Sequence, residues 1–209
     1  MRTSLSAPAF PRSTGLVLAL ALGAAGLAGC TTTLDNAPPP SSNSSFSTAA
    51  KLDAAVNTTL QRLYTVAPGS REMVQKAAGV LVFPEVIGGA LIIGAEHGRG
   101  ALRVGGRTAG YYSTTGASVG WQVGGQSKSV VYIFSTRDAL HKFQASKGWT
   151  AGADATVAIG KVGANGSVDS ETAQQPVVSF VMNNVGIEVG VSLTGAKISP
   201  IALSAAPMR

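Results

Sequence analysis

The chain has 209 residues, enough for one main domain with tails. Only 12% of them are charged while 26 are glycine, which excludes both a highly charged disordered chain and an ordinary helical bundle. The formal charge of +6 is a mild basic bias without the signature of a nucleic-acid binder, and the single cysteine excludes a disulfide framework or a multi-cysteine metal cage.

The N-terminus carries Arg2 and Arg12, followed by about fifteen uncharged residues from Gly15 to Gly29. That length suits the core of a signal peptide and falls short of the ~20 residues that span a bilayer. The run ends in Leu27-Ala28-Gly29-Cys30, which resembles the bacterial lipobox. Cleavage before Cys30 would leave its thiol acylated at the start of the mature protein, where each buried methylene adds about 0.8 kcal/mol of anchoring. Thr31 rather than aspartate follows Cys30, which favours the outer membrane. Residues 1–29 are therefore expected to be a lipoprotein signal peptide. Residues 30–47, rich in proline and serine, cannot bury enough apolar surface to order and read as a tether. The domain is expected over 48–205.

Over 48–65 the apolar residues Leu52, Val56, Leu60, Leu63 and Tyr64 recur every three or four positions, which predicts an amphipathic helix. Ala67-Pro68-Gly69 stops it, and Ser70 is expected to cap a short helix over 71–78 with Glu72 in its first turn. After Gly79 the period changes to two. Short strands are expected over 80–83, 90–93 and 101–104, punctuated by Pro84 and by glycines, with another over 117–123. Residues 130–134 are apolar on both faces, which predicts a central strand, and Ser135 or Thr136 should cap a helix running through Phe143. Further strands are expected over 153–159, 177–182 and 187–193. Short connections and clean alternation favour antiparallel pairing. Gly116, Gly120 and Gly124 share one face, which suits a coiled or closed sheet or close packing of the N-terminal helices. The fold class is α+β: an antiparallel, strongly curved or barrel-like sheet with two N-terminal helices and one inserted helix.

Catalytic patterns are scarce. Gly116-Ala-Ser-Val-Gly120 fits the form of a nucleophile elbow, but Ser118 lies in an alternating β segment with no helix pattern after it. Asp138 and His141 sit three residues apart on one predicted helix, and Glu96-His97 beside Gly98 reads as a structural corner. The expectation is a non-enzymatic protein with no cofactor and no metal.

Several pieces together resemble the SYLF family of lipid-binding domains, also called the yeast actin-patch type. They are Ala77-Ala-Gly-Val-Leu-Val-Phe-Pro84, the segment from Gly88 to Leu102, Gly110-Tyr-Tyr-Ser113, Gly116-Ala-Ser-Val-Gly-Trp-Gln-Val-Gly124 and Gly186-Ile-Glu-Val-Gly-Val-Ser-Leu-Thr-Gly195. His97 stands where the family usually has an aromatic. The resemblance implies binding of acidic phospholipid, phosphoinositides in eukaryotic members, aided by an N-terminal amphipathic helix and basic residues. Lys51, Arg62, Arg71 and Lys76 on the first two helices are the expected lipid contacts, with Arg99 and Arg103 as lesser ones. Lys128, Arg137, Lys142 and Lys147 form a second basic set. The expected partners are anionic membrane lipid and the envelope membrane reached through acylated Cys30. A competing reading gives the glycine-rich β surface an envelope protein partner.

Overall fold

The computed structural model describes residues 48–203, apart from 91–92, 120–123, 162–166 and 189–192. Cys30, the leader and the tether lie outside the described residues. Helix α1 spans Ala49–Val66 and α2 spans Ser70–Lys76. Thr48 caps α1 by accepting the Lys51 N–H at 3.4 Å. Ser70 does not cap α2 as expected: Gly69 is the cap, Ser70 is the first helical residue, and its buried Oγ has no partner.

Four long strands form the centre of the sheet: β1 Gly79–Ala90, β2 Ile93–Val104, β3 Arg107–Val119 and β4 Gly124–Phe134. After α3 (Arg137–Ala145) come β5 Trp149–Thr150, β6 Ala158–Ile159, α4 Ser170–Ala173, β7 Val177–Met182 and β8 Lys197–Ile201. The spatial order is β5-β8-β3-β2-β1-β4-β7-β6, and every pair is antiparallel except β6 with β7. The sheet curls into a half-barrel, as an α+β fold with a curved sheet. Two bulges assist the curl. One adds a residue to β1 between Phe83 and Val86, and the other adds one to β3 opposite Leu102 and Arg103. The first keeps Phe83 and Val86 on the same side, so the core face continues past Pro84.

The expected short strands at 80–83 and 101–104 are thus parts of two twelve-residue strands; of the one expected at 90–93, Ala90 ends β1, Ile93 opens β2, and 91–92 lie outside the described residues. Glycines that read as breaks are instead places of close approach. A Cβ at Gly100 would stand 2.6 Å from the Phe83 ring and closer still to the Val82 carbonyl. Gly105 and Gly106, by contrast, are true turn residues: both have positive φ, 57° and 79°, which suits the tight hairpin closing Val104 on Arg107. Of the strand expected over 153–159, Ala158–Ile159 form β6 and Ala155 makes an isolated bridge to Ala151, while Ala153 and Asp154 lie in a turn. Of the strand expected over 187–193, Ile187 bridges Met182, and 189–192 lie outside the described residues. Strand β8 and the short α4 were not anticipated. Pro200 is tolerated in β8 because β5 covers only Lys197 and Ile198, leaving that side an edge.

Each face of the sheet has its own core. Leu52, Val56 and Leu63 of α1, all fully buried, pack on Val82, Val131 and Phe180. On the other face α3 contributes Leu140 and Phe143 to an aromatic cluster. Phe143 lies 4.9 Å from Phe134, 4.9 Å from Tyr112 and 5.7 Å from Trp149 between ring centroids. The central position expected of 130–134 follows, since all five residues are buried between β1 and β7. Gly116 lies on this second face, where a Cβ would meet Ala196 at 3.7 Å, and not beneath the N-terminal helices.

Candidate functional site

Helix α1 is tied to the sheet differently at its two ends. In its first half, Asp53 gathers three groups from the β2–β3 hairpin. Thr108 donates to its Oδ1 at 2.8 Å, Tyr111 donates to its Oδ2 at 3.0 Å, and the Arg103 guanidinium lies 3.4 Å from Oδ1. Arg103 also donates to the Asp53 carbonyl and to Asn57 Oδ1. Burial, reinforced by the Asp53 carboxylate, raises the Tyr111 hydroxyl above its ordinary pKa. Arg103 is therefore committed to holding α1 on the sheet.

The second half of α1 borders a cleft of about 490 Å³. Thr58, Thr59 and Arg62 form its helix side; the Pro84 bulge, Ser127 and Asn184 contribute from β1, β4 and the loop after β7. Both threonine hydroxyls donate back to α1 carbonyls, Thr58 to Ala54 and Thr59 to Ala55. Ser129 donates to the Pro84 carbonyl at 2.7 Å, which fixes the bulge. The Arg62 guanidinium donates to the Asn183 carbonyl. Asn183 Oδ1 in turn accepts the backbone N–H groups of Val185 at 2.9 Å and Gly186 at 3.0 Å, so the loop tip is tied to its own base.

The remaining expected contacts do not form one cluster with Arg62. Lys51 is exposed near the start of α1. Arg71 stacks over the Tyr64 ring at 4.4 Å, and burial raises the Tyr64 hydroxyl while the Arg71 charge opposes it. Lys76 pairs with Glu72 at 2.6 Å one turn away, and this hydrogen bond holds the Glu72 carboxyl below its usual range. Arg99 sits on β2 between Glu85 of β1 and Ser113 of β3. In the second basic set, Lys128 pairs with Glu96 at 2.9 Å, both largely covered. Their strands, β4 and β2, are separated by β1, and Glu96 crosses it over Gly88, where a Cβ would stand 3.0 Å from the Glu96 Cγ. Lys142 pairs with Asp138 at 2.8 Å, whereas Arg137 and Lys147 are exposed. Among the described residues there is no cluster of His, Cys, Asp and Glu that could hold a metal. No described helix is long and apolar enough to cross a membrane.

Residues 115–202 match the family described as Ysc84: Las17-binding protein actin regulator. These residues belong to the SYLF family. No curated protein matches the chain. The SYLF segment starts within β3 and cannot form this sheet alone, because β1 and β2 lie between its β3 and β4 strands. The N-terminal half is thus physically part of the same domain, and it supplies all of α1.

The motif at Ser118 sits inside the SYLF segment, and its backbone pairs with Gly94 in the β2–β3 ladder. A nucleophile elbow would need a sharp strand-to-helix turn there, whereas β3 continues to Val119. Asp53, Thr108 and Tyr111 were missed in the sequence because their link joins residues about fifty positions apart. Thr58, Ser127 and Asn183 have no local pattern for the same reason, although the run Asn183-Asn184-Val185-Gly186 is rich in turn-forming residues.

Proposed function

We propose that this chain is a non-enzymatic, lipid-anchored protein of the bacterial outer membrane whose SYLF-type domain binds acidic phospholipid. The leader ending at Cys30 supports the anchoring and the location. Family membership of residues 115–202 supports a binding role over catalysis. The observation that carries the lipid reading is the division of α1 into a buried apolar stripe and a cation-bearing outer side. Leu52, Val56 and Leu63 are fully buried on the sheet, so α1 does not offer its apolar stripe to a bilayer. Docking is then electrostatic, through exposed Lys51, Arg71 and Lys76 together with Arg62, each cation near an anionic surface contributing about 1 kcal/mol.

The test uses the full chain carrying Cys30→Ser, so that no acyl group contributes. Cosedimentation is compared between phosphatidylcholine vesicles and vesicles mixed with phosphatidylglycerol or cardiolipin. The expected result is extra binding to the acidic vesicles that disappears in high salt. Equal binding to both, or binding indifferent to salt, overturns the proposal.

A further inference from the structure

Two large apolar side chains are conspicuously exposed among the described residues: Ile87 at 46% and Val185 at 95%. They come from different elements, yet both flank the cleft beside the second half of α1. Ile87 lies directly opposite Ser127 in the β1–β4 ladder, and Val185 follows Asn184; Ser127 and Asn184 both line the cleft. The cleft is lined mainly by polar side chains, the cations Arg62 and Lys128 with Thr58, Ser127 and the Glu85 carboxylate. A polar centre with apolar shoulders is the reverse of a protein–protein interface, where an apolar core is ringed by a polar rim. It matches the boundary of a bilayer, where charged headgroups lie beside acyl chains.

The Val185 tip is also rigidly built. Asn183 Oδ1 takes the N–H groups of Val185 and Gly186, Met182 bridges Ile187 across the turn, and Arg62 holds the Asn183 carbonyl. An isolated valine held this far out of the protein gains nothing from its own fold. A guanidinium has five donors, so Arg62 retains several after bonding Asn183.

We propose that this cleft seats the headgroup of a single membrane phospholipid, its phosphate against Arg62, while Ile87 and Val185 dip into the apolar boundary of the same leaflet. The inference rests on the lipid-binding reading above and gives it a location. To the electrostatic docking of the first two helices it adds a headgroup seat at one end of α1, with two fixed apolar points beside it. Cation and apolar points act together, because the charge draws the domain to the surface and the shoulders set its orientation.

The test places a single environment-sensitive fluorophore on the full chain carrying Cys30→Ser, through Ile87→Cys, Val185→Cys or, as a control on α3, Ala145→Cys. Vesicles of phosphatidylcholine and phosphatidylglycerol, with nitroxide-bearing lipid as quencher, report which label enters the bilayer. The expected result is a blue shift and quenching at positions 87 and 185 and neither at 145. Arg62→Gln should weaken vesicle binding about fivefold. Val185→Asp, on a side chain too exposed to affect folding, should abolish the signal of the Ile87→Cys label. Vesicle binding with the shift at 145 alone, or with no shift at 87 and 185, overturns the location and leaves lipid binding standing. Absence of vesicle binding by any labelled chain overturns both.

Discussion

The two halves of α1 use the same kind of side chains to opposite ends. At Asp53, one carboxylate gathers a guanidinium, a phenol and a threonine hydroxyl and closes the helix onto the β2–β3 hairpin, leaving only the buried Arg103 Nε without a partner. At Arg62, one guanidinium donor holds a loop carbonyl, the Thr58 and Thr59 hydroxyls bond back within α1, and a cleft stays open. Satisfied polar groups around a packed helix mark architecture. Polar groups facing an open cleft, bordered by apolar side chains with nothing over them, mark a place where something else binds.

The strongest way to break the closed half is through its core. Leu52→Ala should cost about 3 kcal/mol in urea unfolding, since the side chain is fully buried against the sheet. Asp53→Ala should cost about 2 kcal/mol, because it leaves Arg103, Thr108 and Tyr111 without their shared acceptor while partial exposure lets water replace some of it. A double-mutant cycle with Arg103→Ala would then show coupling between the two, and additive losses would contradict the clamp.

Alkaline pH tests the packing of both faces of the sheet with a defined sign. Burial raises the hydroxyl pKa of Tyr132 and Tyr112, and burial with the Asp53 carboxylate raises that of Tyr111, all from an ordinary value of 10.0. The folded state holds these protons more tightly than the unfolded chain, so their contribution is complete below that value and is lost as pH rises above it. Stability should therefore fall on the alkaline side, and Tyr132→Phe should remove much of the slope. Smaller still, Thr48→Ala should cost about 1 kcal/mol by uncapping α1. In the open half, Val185→Ser should leave stability unchanged within about 0.5 kcal/mol, since the side chain touches so little of its own protein.

The contrast also explains what could be read from the chain in order. The stripe of α1, the central strand at 130–134 and the strand at Val177–Met182 are local patterns, and each stands where periodicity places it. Glycines misled, because a residue that breaks a strand in one setting leaves room for a neighbour in another: Gly100 admits the Phe83 ring, and Gly88 lets Glu96 reach Lys128. Strand β8 escaped because it is five residues long and contains Pro200. The candidate cations were legible as charges, but their partners were not. Arg103 turns to Asp53; Lys76 turns to Glu72, and both border a cleft of about 410 Å³ at α2; Arg62 turns to Asn183 and borders the cleft beside α1. That cleft draws on α1, β1, β4 and the loop after β7, and no spacing within a single element announces it.

Hydrogen exchange of the full chain, with and without phosphatidylglycerol-containing vesicles, tests the central claim most directly, because it reads both halves of α1 at once. Vesicles should slow exchange at 85–88 and 183–187 while the amides of α1 keep their protection and those of α3 do not change. Slowing confined to α3, or faster exchange along α1 as it leaves the sheet to insert, would contradict the account.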